Sequence, residues 1–156
     1  KFGNFPDNKM DSVPLLDVVK FIEDNVTTQP DIIFTHSNQC LNVDHVVVNR
    51  ATLTAFRPQK GIKQKMYTYY VPSSTDYNPY SNFNGNVYFD VTGYECYKIQ
   101  CLKECYPQEM RDFPHSRSYE NVTNLMKVWG SEVGIKSAEK FNLIKQGKLK
   151  RLIVKI

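Results

Sequence analysis

Pro30-Asp31-Ile32-Ile33-Phe34-Thr35-His36 is the stretch on which the fold class turns. A short apolar run rich in β-branched residues, opening after a proline, has the length and content of a strand buried in a parallel sheet. On its N-terminal side, Leu15, Leu16, Val18, Val19 and Ile22 recur at helical spacing; Asp11 or Ser12 can cap that helix, its first turn accepts Pro14, and Pro30 ends it. On its C-terminal side, Ser37 to Asn42 is polar and makes a loop. A second helix then runs from roughly Asp44 to Phe56, with Val47, Val48, Ala51 and Ala55 as its inner face. Helix, strand, loop, helix is the grammar of an α/β fold. Ligands in such folds sit beyond the carboxyl ends of the strands, which here means the loop from His36 to His45.

Further out, Met66 to Val71 and Asn86 to Val91 have strand character, separated by a turn-rich loop that carries Pro72, Ser73, Ser74, Thr75, Asp76, Pro79 and Gly85. Thr92 can cap a helix that reaches about Tyr106 before Pro107, and Ser118 can cap another that runs to Trp129 before Gly130. Leu152-Ile153-Val154 is either a last strand or a docked tail. The first ten residues, with Gly3, Pro6 and Asp7-Asn8, have the character of a connection arriving from an earlier element. No internal repeat or low-complexity segment interrupts this order, which excludes a solenoid.

With 156 residues and 41% hydrophobic content, the chain predicts one domain that buries about two-thirds of its unfolded surface. The net charge of +4 is spread along the chain except for the tail Lys145, Lys148, Lys150, Arg151 and Lys155. A phosphate-binding face needs clustered cations with aromatics between them, so no nucleic-acid partner is indicated. No run approaches the roughly 18 apolar residues of a membrane span, and no signal-peptide pattern opens the chain, so a cytoplasmic protein is expected. Cys40, Cys96, Cys101 and Cys105 form no CxxC pair, and three of them share one predicted helix. Reduced, mostly buried thiols are the expectation. The sequons at Asn25 and Asn121 matter only in a secreted protein.

A hydrolytic metal site needs imidazoles and carboxylates converging from loop ends with one position left for water. His45 follows Asp44 directly and Asn42 by three residues at the start of a predicted helix, so these neighbours can orient its ring and fix its tautomer. A surface or helix-capping role for the same histidine is the plain alternative. His36, at a strand end, has a supporting or solvent role. Tyr67, Tyr69, Tyr70, Tyr77 and Tyr80 are either sugar-stacking rings or strand surface and core.

The run from Pro30 to His36, continued by Leu41-Asn42-Val43-Asp44-His45, resembles the second signature of the PIG-L (LmbE-like) deacetylases, zinc enzymes that remove the acetyl group from N-acetylglucosamine-containing compounds. Leu53-Thr54-Ala55-Phe56-Arg57-Pro58, Val71-Pro72-Ser73-Ser74-Thr75, Phe113-Pro114-His115-Ser116-Arg117-Ser118 and Trp129-Gly130-Ser131-Glu132-Val133-Gly134 are similar to segments that follow in the same order in that family. The resemblance covers the chain from about Phe5 to Phe141.

It implies a Rossmann-like three-layer α/β sandwich with a mostly parallel sheet, one domain over residues 1–156, incomplete at its N-terminus. It implies a zinc-dependent amide hydrolase acting on a small-molecule N-acetylated amino sugar, with His45 as the later metal ligand; such donors accept other divalent ions as well. His115 is then the oxyanion donor and acid toward the leaving amine, Arg117 orients it or binds substrate, Asn42 contacts substrate, and Asp44 supports the site beside its ligand. The family's other ligands and its base lie in a His-Pro-Asp-Asp motif that these residues lack, so an N-terminal segment or another chain must supply them; a homo-oligomer is one such arrangement. The chain departs from the pattern at Cys40, where Asp is frequent, at Val46, where Arg is, at Asn42, where some members carry His, and at Ser116, where Pro is. The alternative is a non-catalytic domain of the same fold that binds a carbohydrate or a protein.

Overall fold

The computed structural model describes residues 1–58, 64–81 and 83–147. The apolar stripe beginning at Leu15 forms α1 (Leu15–Asn25), preceded by a 3-10 turn, Met10–Ser12. The quoted run forms β1 (Ile32–His36), and α2 (Val43–Ala55) starts where Asn42 accepts the backbone N–H groups of Asp44 and His45 through its side chain. Next come β2 (Lys65–Tyr69), β3 (Val87–Asp90), α3 (Glu95–Cys105), α4 (Tyr119–Glu132), capped by Ser118, and β4 (Ala138–Lys145).

Met10, Val18, Val19 and Ala51 are buried where α1 packs on α2, and Val47, Val48 and Ala55 close round them, the inner face that the spacing predicts. Ile33 and Thr35 of β1 are buried, whereas Ile32 and Phe34 stay about half exposed. On α2, the Asn49 amide donates to the carbonyl of His36 at 2.8 Å, which ties the helix to the end of the strand.

The sheet order is β1-β2-β4-β3. β1 pairs with β2 in parallel, and β4 runs antiparallel to both β2 and β3. The sequence predicts a mostly parallel sheet; among the described residues the sheet is mixed, because β4 inserts between two strands that run the other way. No strand was expected over Ala138–Lys145, where charged and apolar residues share the run, yet Ala138 is fully buried. α3 buries none of its residues. Cys40 is buried as expected, but Cys96, Cys101 and Cys105 are exposed, which corrects the expectation of mostly buried thiols: a helix on the outer flank has no interior to put them in. All four are free. Among the described residues no helix is long and apolar enough to cross a membrane. The segment Leu152-Ile153-Val154 and most of the basic tail lie outside the described residues.

Candidate functional site

The carboxyl ends of β1 and β2 carry His36 and Tyr69, which are register partners. Tyr69 Oη lies 2.9 Å from His36 Nε2. Beside them stands the first turn of α2, whose His45 ring stacks on that of His36 with centroids 4.1 Å apart and planes 17° from parallel. These groups line a cleft of about 840 Å³ together with Asp7, Asn8, Asn42 and Arg117 on one part of its wall. Leu102, Met110, Leu125, Trp129 and Phe141 supply apolar wall. That volume falls in the range of about 300–1,000 Å³ usual for small-molecule pockets. The cleft therefore opens where α/β grammar puts a ligand, next to the loop from His36 to His45.

Burial keeps both imidazoles uncharged at neutral pH. His36 is pushed down from 6.5 to about 4, first by desolvation and then by the charge of the neighbouring His45. His45 is also lowered, mainly by desolvation, with Arg117 adding to the effect and Asp44 opposing it. Desolvation raises Tyr69 to about 12, so its phenol remains protonated. Neutral imidazole is the form that takes a metal or a proton. His45 Nδ1 sits 3.0 Å from Cys40 Sγ, which leaves Nε2 for a ligand. His36 Nδ1 is buried without a hydrogen-bond partner among the described residues.

The Asp44 carboxylate is engaged by backbone. Its Oδ2 accepts the backbone N–H of Asn8 at 2.6 Å and its Oδ1 that of Met10 at 2.9 Å, so the carboxylate clamps the segment that brings Asp7 and Asn8 to the cleft. Asn42 caps α2 through its oxygen and donates from Nδ2 to Asn8 Oδ1 at 3.2 Å. Arg117 is held along one edge, Nε donating to Ser73 Oγ at 2.7 Å and to the Pro72 carbonyl at 3.4 Å, with NH1 paired to Glu109. His115 is not among the cleft-lining residues. Its Nδ1 accepts the Arg117 backbone N–H at 3.0 Å and its ring meets the edge of Tyr77, so it shapes the turn that delivers Arg117.

Of the predicted site residues, His45, Asn42 and Arg117 converge on one cleft, while Asp44 and His115 stand behind it. No protein-family model matches this chain, and no curated protein does. Among solved structures it is similar to the conserved protein TT1542 from Thermus thermophilus, with a TM-score of 0.61 and 17% identity. The match covers 96% of this chain and 65% of that one. At that identity the likeness speaks for the fold alone, and this chain spans about two-thirds of its neighbour's length.

Four residues at or beside the cleft had no signal for the place they take. Cys40 stood out only as a departure from the family pattern until the loop brings its sulfur to His45, and Tyr69 is one tyrosine among several until β2 registers it against His36. Asp7 and Asn8 read as linker. As a chemical assembly, the wall offers an uncharged imidazole nitrogen, a fixed guanidinium, a protonated phenol and flat aromatic surface. His45 suits one corner of a metal site. The described residues contain no group of three His, Cys, Asp or Glu side chains placed to hold an ion by themselves.

Proposed function

We propose that this chain is the later part of a metal-dependent N-deacetylase that hydrolyses the acetamide of an N-acetylated amino sugar. The observation that carries this reading is His45: an uncharged imidazole on a ligand-sized cleft, with one nitrogen engaged by Cys40 and the other left over. The remaining donors would come from outside residues 1–156, as the family resemblance implies. When bound, zinc would lower the pKa of a coordinated water to about 7.

The chain's own residues have separable tasks in this scheme. Arg117 holds a positive charge at the cleft wall and faces an oxygen that gains negative charge. Tyr69, protonated throughout the working range, can donate to a substrate hydroxyl or carbonyl when His36 Nε2–H is the donor in their shared hydrogen bond. Trp129 and Phe141 offer faces for the apolar side of a sugar ring. Asn42 has one amide hydrogen beyond its bond to Asn8. His115 acts through Arg117, since its ring nitrogen holds that residue's backbone. The finer fold reading, a Rossmann-like sandwich completed by further parallel strands, belongs to the same proposal; β1, parallel to β2, stands at the sheet edge where such a strand would add.

The test is acetate release from N-acetylglucosamine derivatives by the complete protein supplied with zinc. Turnover that disappears in His45→Ala supports the reading. Arg117→Ala should lower kcat/KM by about 100-fold, the scale of one lost transition-state donor, and His115→Ala by much less. Metal-free protein that binds the sugar without releasing acetate would favour a binding module instead.

A further inference from the structure

The His36 ring fixes the plane of His45 but not its edge. A half-turn about the Cβ–Cγ bond would leave the stack at 4.1 Å intact while exchanging Nδ1 with a ring carbon. The group that breaks this degeneracy is Cys40, whose sulfur lies 3.0 Å from Nδ1. That sulfur is itself fixed. Cys40 is 5% exposed, its N–H donates to the Ser37 carbonyl at 3.4 Å, and the next residue, Leu41, donates to the Ser74 carbonyl at 2.8 Å. The second of these bonds joins the loop to the segment carrying Thr75, whose Oγ1 is 3.7 Å from the same sulfur.

Thr75 is 1% exposed, and its hydroxyl oxygen accepts the Val71 N–H at 2.9 Å. The hydroxyl proton can then point to the Cys40 sulfur, an arrangement in which the sulfur is an acceptor. An imidazole facing an acceptor presents N–H, and a neutral ring with its proton on Nδ1 keeps its lone pair on Nε2. We propose that Cys40 is the positioning residue of this cleft: its sulfur accepts the Nδ1–H of His45 and so turns the Nε2 lone pair toward the ligand. Cys40 is no nucleophile here, because it is not part of the cleft lining. The chain thus sets the tautomer with a thiol five residues upstream, although Asp44 is adjacent in sequence and has its carboxylate on the backbone of Asn8 and Met10 instead.

What Nε2 does once presented rests on the reading of His45 as a metal ligand; the hydrogen bond does not. The experiment separates the two. Long-range 1H–15N correlation spectra of the imidazoles, recorded on the full chain at neutral pH without metal and assigned with His45→Asn, read the tautomer directly. Wild type and Cys40→Ser should carry the His45 proton on Nδ1. In Cys40→Ala the proton should pass mainly to Nε2, and zinc affinity of the complete protein should fall by about 10- to 100-fold, as loss of an outer-shell partner does. A wild-type ring protonated on Nε2, or an unchanged tautomer in a folded Cys40→Ala, would overturn the proposal. Should Cys40→Ala not fold, the wild-type and Cys40→Ser spectra decide it alone. A wild-type Nδ1–H ring in protein that binds no zinc would uphold Cys40 and remove the metal reading.

Discussion

At the scale of single residues, the cleft depends on polar groups that are held by other polar groups of the chain. Asp44 shows the consequence most simply. Replacing it with Asn puts an amide NH2 against one of two backbone N–H donors, those of Asn8 and Met10, so Asp44→Asn should cost about 1–3 kcal/mol. Urea unfolding measures the loss, and faster amide exchange at Asn8 and Met10 would locate it. His36 supplies a pH signature. Its pKa falls from 6.5 to about 4 on folding, chiefly through burial, so the unfolded chain binds a proton that the native chain refuses. Stability of the metal-free protein should therefore be complete above pH about 6.5 and decline as pH falls toward about 4. His45, lowered in the same sense, adds to that decline, and His36→Asn should flatten it; an equally steep curve for that variant would refute the assignment. His45 could be singled out by its neighbours Asp44 and Asn42, whereas Arg117 and a substrate contact at Asn42 came from the family resemblance alone. Cys40 was not, since no local rule says that a loop sulfur will return to a ring five residues on.

At the scale of elements, the sequence is clearest where one face of a segment is apolar and its end is marked. β1 and α2 follow their predicted spans closely, whereas α1 starts at Leu15 without the side-chain cap expected from Asp11 or Ser12 and ends at Asn25, short of Pro30. α4 does not stop before Gly130 but runs through it to Glu132. Gly130 is there for space: a Cβ on it would lie 2.7 Å from the Ile135 carbonyl oxygen and 2.8 Å from the Ser137 nitrogen, where the chain folds back toward β4. Gly130→Ala should accordingly destabilise by about 1–3 kcal/mol through overpacking against backbone, despite the better helix propensity of alanine. Thermal unfolding decides this, and a stabilised variant would contradict the packing account. β4 itself was hidden because a strand flanked on both sides draws its identity from its partners, and Ala138–Lys145 carries no clean alternation to announce it.

At the scale of the whole molecule, a mixed sheet with helices packed against it holds a ligand-sized cleft at the carboxyl ends of two parallel strands. The α/β class was readable from the order of elements, since helix, strand, loop and helix leave few ways to bury their apolar faces. The strand order was not, because it depends on pairings between residues far apart in sequence, such as Tyr69 with Phe141. The account stands on the imidazole of His45 acting as a ligand within that cleft. Its most direct test is calorimetric titration of zinc into the complete protein and into His45→Gln. The account predicts binding of about one zinc per chain, weakened by about 100-fold or more in the variant, at or beyond the upper end of the loss caused by removing a ligand's supporting partner. Equal affinity in the two proteins would contradict it.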